Sequence, residues 1–270
     1  MDNKNYSLGF IGCGAIAGAM IAGICKSAML KPEDILISDA NEQLLERRKS
    51  EYGVQTTKDN LAVASQCKIV LLAVKPQNYP SVLSEVAPSL SADTLLIVIA
   101  PGYNMTEVSN RLGRSAKIIR AMPNTPVLVG DGMTGICCNE NVDEKEFNYV
   151  CELFRCFGKV GVVTDTLIDA VVAVSASSPA YVYLLIEAMA DGGVAGGLSR
   201  DSAMEFAAQA VLGSAKMVLE TGIHPAALKD MVCSPGGTTI ESVRILEQRG
   251  FRSAIMEAIK ANVEKSREMS

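Results

Sequence analysis

SLGFIGCGAIAGAM, residues 7–20, decides the fold. An apolar run of strand length, Leu8 to Ile11, leads into Gly12, Gly14 and Ala17, spaced G-x-G-x-x-A, and then into small apolar residues at helical length. Glycine at 12 permits the tight turn, glycine at 14 lets the backbone approach a pyrophosphate, and alanine at 17 lets the helix pack closely. The unpaired N–H groups and dipole at the start of that helix favour an anion. In this strand-turn-helix context the motif points to a dinucleotide, the plainer alternative being a glycine turn without a ligand. Ser7 to Cys25 also carries no charge across 19 positions, nearly the length of a membrane span. Gly9, Gly12, Gly14, Gly18 and Gly23 within it, and the lack of a basic n-region and cleavage site, read instead as a buried strand followed by a small-residue helix.

Working outward, DILIS, CKIVLLAV, TLLIVIA and AKIIRAM are further strand-length apolar runs, separated by segments of helical length. That alternation implies βαβ units and a parallel sheet, and the unbroken apolarity of the runs implies helices on both of its faces. After about Gly161 the β runs cease, and Ala, Met, Leu and Glu recur at helical spacing. The expected class is α/β: an N-terminal Rossmann-type, doubly wound, mostly parallel sheet over residues 1–164, then an all-helical C-terminal domain over 165–270. No Pro/Ser-rich linker separates them. ADGGVAGG, residues 190–197, lets helices approach closely; so apolar a helical half needs either an internal bundle or a subunit interface to cover it.

With 49% hydrophobic and 20% charged residues the chain is expected to fold, and its net charge of −5 provides no field for nucleic acid or an anionic membrane. Eight cysteines without any CxxC read as reduced thiols, hence a cytoplasmic protein. His224 is the only histidine, so no two-histidine metal site and no Ser/His/Asp array with a spare histidine can be assembled; no metal is expected. His-Pro at 224–225 reads as a structural turn.

In a doubly wound sheet the ligand crevice lies outside the carboxyl ends of the strands. Asp39, after ILIS, stands where a carboxylate bonds the adenosine ribose 2′-hydroxyl and favours NADH over NADPH, or is a solvated loop acid. Whether Arg47 or Arg48 turns toward a 2′-phosphate stays open. Ala73, Val74, Lys75 and Pro76 end another strand, with Lys75 equally readable as a surface lysine; Ala100, Met122, Asn124 and Thr125 follow two more.

SPGGTT, residues 234–239, breaks the helical half. Pro235 and the glycines stop one helix, and Thr238 or Thr239 is expected to cap the next, with Ile240, Val243 and Leu246 as its buried face. Two glycines before a helix also expose a run of N–H groups suited to a carboxylate, beside a threonine hydroxyl.

LKDMVCSPGGTTIESVRILEQRGFRS, 228–253, resembles the signature region of pyrroline-5-carboxylate reductase, and GFIGCG, AVKP, MPNTP, LIDAVVAVSASSPAY and ADGG recur in that family's order. The resemblance implies an NAD(P)H-binding domain and a helical dimerisation domain, 1-pyrroline-5-carboxylate as substrate, L-proline as product, and homodimers that often assemble further. It favours NADPH slightly and leaves NADH open. By position, Ile11, Gly12, Cys13, Gly14, Ala15, Ile16, Asn60, Ala73, Val74, Lys75, Pro76 and Ala100 resemble the family's cofactor contacts. Thr239 matches a catalytic threonine on the ring nitrogen, Thr238 with Gly237 a backbone hold on the substrate carboxylate, and Asp165 a position usually held by glutamate facing the substrate. Ser175 to Tyr181 departs from the family's S-G-S-G-P-A-Y, and Pro101, Met231 and Ser242 also differ from common residues. The alternatives are a reductase of a related cyclic imine or a small keto or hydroxy acid, and a non-catalytic dinucleotide-binding regulator.

Overall fold

The computed structural model describes residues 5–269. Two compact units emerge: the first runs to Ser177 and takes back the chain from Asn262 onward, and the second is Ser178–Ala261.

The first unit follows the apolar runs. It contains β1 (Tyr6–Ile11), α1 (Ala15–Lys26), β2 (Ile35–Ser38), α2 (Glu42–Tyr52), β3 (Gln55–Thr57), α3 (Asn60–Gln66), β4 (Cys67–Leu72), α4 (Tyr79–Val86), β5 (Leu95–Val98), α5 (Met105–Leu112), β6 (Lys117–Met122), β7 (Gly132–Cys138), α6 (Glu144–Arg155), β8 (Gly158–Val162) and α7 (Ile168–Val171). The eight strands form one sheet in the order β3-β2-β1-β4-β5-β6-β7-β8. Only the β6–β7 pair is antiparallel, with Met122 opposite Gly135. Strand order reverses between β2 and β4 around β1, with Ile11 beside both Ser38 and Leu72. That reversal opens the crevice at the end of β1.

Alternate residues of β1 enter separate cores. Leu8 and Phe10 pack with α1, α2 and α6, whereas Ile11 packs with α3, α4 and α5. Full burial of each side chain contributes about 1.5–3 kcal/mol.

Sequence periodicity does not single out β3, β7 and β8. β3 is a three-residue polar edge strand, β7 carries two glycines and follows β6 without an intervening α-helix, and β8 is a half-exposed edge. By packing, the segment that follows residue 164 stays with the first unit. Ile168 and Val172 bury themselves against Met122 and Cys137, which keeps residues 165–177 with the sheet.

The second unit consists of α8 (Ser178–Ala195), α9 (Arg200–Thr221), α10 (Pro225–Val232), α11 (Thr238–Gln248) and most of α12 (Phe251–Glu268). α8 and α9 meet through Ala190, Ala203 and Ala207, small enough for close approach. His224 caps α10 by accepting from the Ala226 N–H at 3.2 Å, in keeping with a structural turn. The expected burial along α11 is corrected: Ile240 and Leu246 are 40% and 49% exposed, and α11 buries no residue within the chain. Phe206, Leu219 and Met231 are likewise exposed, so a broad apolar surface lacks cover in the single chain. The run Asp165–Ala195 is long and apolar enough, by length and composition, to cross a membrane.

Candidate active site

At the end of β1 the chain turns through Gly12, whose φ of +93° lies in the left-handed region that glycine tolerates. The Gly12 N–H donates to the Ser38 carbonyl at 2.8 Å, and the Ala73 N–H to the Ile11 carbonyl at 2.8 Å, clamping the loop between β2 and β4. A side chain at Gly12 would meet the Ala73 carbonyl at 2.8 Å, whereas above Gly14 there is open space. Gly14 caps α1 without a side-chain bond, and the first turn of α1 carries no acid. The helix therefore presents free N–H groups and its positive end beside a position that only backbone occupies, an arrangement that fits a dinucleotide pyrophosphate. Ala15 and Ile16 form that first turn.

Asp39 fastens the loop from the β2 side. Its Oδ2 accepts from the Cys13 N–H and its Oδ1 from the Asn41 N–H, both at 2.9 Å. The Cys13 thiol beneath is pushed up to about 12, first by burial, then by the Asp39 charge, with Arg48 opposing. Asn60 bridges outward: its Oδ1 accepts from the buried Ser38 hydroxyl at 2.7 Å, and its Nδ2 donates to Glu85 at 3.0 Å.

Three residues that sequence reading passed over or left undecided hold this frame. The nearly buried Arg48 donates from Nε to the Cys13 carbonyl and from Nη2 to the Gly14 carbonyl, each at 3.2 Å, and from Nη1 to Glu51 at 2.8 Å. Its guanidinium occupies the space a side chain at Gly18 would need. Tyr79 is fully buried; its hydroxyl donates to the Leu72 carbonyl at 2.6 Å and accepts from the Ile99 N–H at 3.1 Å, tying the ends of β4 and β5 together. Tyr103 stacks on Tyr79 and donates to the Pro76 carbonyl at 3.0 Å. Ala73, Val74, exposed Lys75 and Pro76 thus lie on a braced loop, and Ala100 is buried just past β5.

Asn124 is spent internally, accepting from the Met133 N–H at 2.9 Å and donating to the Ser175 carbonyl at 3.3 Å. Asp165 Oδ1 accepts from Nη1 of the buried Arg120 at 2.8 Å, with Cys137 3.9 Å away. Asp169 lies 4.0 Å from Arg120 Nη2 and accepts from the Ser266 hydroxyl at 2.7 Å. Burial and then the Asp165 charge push the Cys137 thiol up to about 12.

In the second unit, SPGGTT forms a turn closed by the Gly237 N–H on the Ser234 carbonyl at 3.1 Å. Pro235 precedes Gly236, whose φ is +67°, the type II combination that needs glycine third. The expected threonine cap is corrected: Gly237 is the N-cap, makes no side-chain bond, and leaves Thr238 and Thr239 as the first helical residues. The extended backbone at Gly237 does the capping, so α11 begins with free N–H groups, and neither threonine hydroxyl has a hydrogen-bond partner among the described residues. Turn geometry now accounts for the first glycine and leaves both hydroxyls available.

Comparison with known proteins divides the chain at residue 165, ahead of the compact helical unit. Residues 165–269 match the pyrroline-5-carboxylate reductase dimerisation family, and residues 7–102 match the family described as NADP oxidoreductase, coenzyme F420-dependent. A pyrroline-5-carboxylate reductase of Escherichia coli is 48% identical, over 97% of this chain and 98% of its own. The chain belongs to the pyrroline-5-carboxylate reductase family. Among solved members, that of Coxiella burnetii superposes with a TM-score of 0.92 at 34% identity, covering 99% of both chains. The Plasmodium falciparum member, solved with NADP bound, superposes with a TM-score of 0.89 at 34% identity over 98% of both.

Proposed function

We propose that the chain reduces the cyclic imine 1-pyrroline-5-carboxylate to L-proline with NADH or NADPH, the final step of proline biosynthesis. The observation that carries this reading is the presence in one chain of two glycine-capped helix N-termini without side-chain bonds, one behind the glycine loop of the sheet and one behind SPGGTT. The first suits a pyrophosphate; the second suits a small carboxylate beside a free hydroxyl. Near full-length similarity to proteins named for this reaction supports it.

Residues Ile11 to Ile16, Asp39, Asn60, Ala73 to Pro76 and Ala100 line the dinucleotide in this proposal. When bound, its reduced nicotinamide supplies the hydride. The Thr239 hydroxyl orients the ring nitrogen, and backbone N–H groups around Gly237 and Thr238 hold the carboxylate. The iminium nitrogen already carries its proton. As hydride bonds to the imine carbon, the C=N π pair passes to nitrogen and leaves a neutral amine, so no histidine is required. Orientation of the reactants is the main contribution asked of the protein. Asp165, held by the buried Arg120, faces the substrate in this proposal and favours the cationic imine.

Residues 1–164 serve the cofactor, and 165–270 serve substrate and dimerisation; the match over 165–269 and the exposed apolar residues support a homodimer through the helical half. Dimers associate further in this proposal, in a cytoplasm that keeps the eight free cysteines reduced. Cofactor oxidation and proline formation are measured with pyrroline-5-carboxylate, pyrroline-2-carboxylate and small keto or hydroxy acids. Turnover is expected with pyrroline-5-carboxylate; its absence there, with turnover of another substrate, overturns the assignment.

A further inference from the structure

We infer that the adenosine end of the dinucleotide site is built for an unphosphorylated ribose, so that this chain binds NADH in preference to NADPH. The inference rests on the dinucleotide reading and concerns the strand-end segment from Asp39 to the first turn of α2. Asp39 is held at the end of β2 by two backbone N–H groups, on Cys13 and Asn41. With the Cys13 thiol also bonded to it, the carboxylate still keeps a lone pair that can accept from a ribose hydroxyl. A 2′-phosphate would bring a second anion to the same place.

Of the cations near it, the buried one is committed elsewhere and the two exposed ones already face surface carboxylates. Arg48 is nearly buried behind the glycine loop, with all three guanidinium nitrogens bonded. A trans peptide sets its C=O and the following N–H on opposite sides, so turning the Cys13 and Gly14 carbonyls onto Arg48 turns the Gly14 and Ala15 N–H groups the other way. Arg48 is thus a positioning residue that aims pyrophosphate donors, and its charge is not presented to a 2′-phosphate. Arg47 pairs with Glu51 at 2.7 Å, and Lys58 with Glu42 at 2.7 Å. The start of α2 offers no vacancy either: Asn41 caps it by accepting from the Leu44 N–H at 3.1 Å, and Glu42 occupies its first turn.

Calorimetric titration of the full chain with NADH and NADPH tests this, together with competition by AMP and adenosine 2′,5′-bisphosphate. NADH is expected to bind at least about tenfold more tightly, and AMP to compete better than the bisphosphate. Asp39→Asn should shift the NADH/NADPH ratio toward NADPH by about tenfold. Because Asp39 also holds the Cys13 N–H, Ala40→Arg at the adjoining exposed position is the second variant; it should raise NADPH affinity while leaving NADH affinity within about twofold. Wild-type protein binding NADPH as tightly as NADH overturns the preference and leaves the dinucleotide reading intact. Binding of neither overturns both.

Discussion

Gly18 and Arg48 should behave as one unit. A methyl at Gly18 overlaps the Arg48 guanidinium, so Gly18→Ala must expel it from the Cys13 and Gly14 carbonyls. Hydrogen bonds to a charged donor contribute roughly 1.5–3 kcal/mol each, and two are lost, whereas alanine in a helix interior recovers about 1 kcal/mol over glycine. The expected net cost is therefore ~2–5 kcal/mol of unfolding free energy, from these same terms. In an Arg48→Met background the overlap is gone, and Gly18→Ala should instead stabilise by about 1 kcal/mol. Urea unfolding followed by circular dichroism, at one protein concentration because association contributes to stability, gives the four corners of the cycle. NADH titration of the same proteins should show weaker binding wherever the arginine is displaced. A neutral or stabilising Gly18→Ala in the wild-type background, or strictly additive effects, refutes the bracing role.

Thr239→Ala should lower turnover by roughly 2–4 kcal/mol of barrier while leaving dinucleotide binding unchanged, as for loss of one preorganised donor; Thr239→Ser should restore most of it. Tyr79→Phe leaves the Leu72 carbonyl and Ile99 N–H without their shared hydroxyl and should cost about 1–3 kcal/mol in urea unfolding. The folded state keeps the Cys13 proton up to about 12, whereas the unfolded thiol loses it above 9.0. Stability is therefore expected to fall as pH rises through that window, by at most about 1.4 kcal/mol per pH unit for this thiol. Unfolding midpoints of wild type and Cys13→Ala at successive pH values measure the difference, and parallel slopes would remove the assignment.

The sheet and its crevice were legible because they rest on local patterns. Unbroken apolar runs mark strands covered on both faces, and G-x-G-x-x-A after such a run leaves few alternatives to a helix with an open N-terminus. β7 and β8 were not legible, since glycine removes the apolar signal and the antiparallel turn has no helix to announce it. The SPGGTT turn was readable as a break and an N–H cluster, but which residue caps α11 depends on backbone angles at Gly236 and Gly237 that composition does not specify. The exposed face of α11 shows the same limit: periodicity says that a face is apolar, not which surface covers it.

Local patterns in the sequence dictate a doubly wound sheet with a dinucleotide loop, followed by helices interrupted by a turn rich in backbone N–H groups. How that loop is held follows from long-range packing. Arg48, 34 positions beyond Gly14, reaches its carbonyls, and Asp39, 26 beyond Cys13, reaches its N–H. Tyr79 joins two strand ends, and Asp165 goes to Arg120, 45 positions away. Such pairings need distant backbone brought within about 3 Å, a distance set by packing and not by neighbours in the chain.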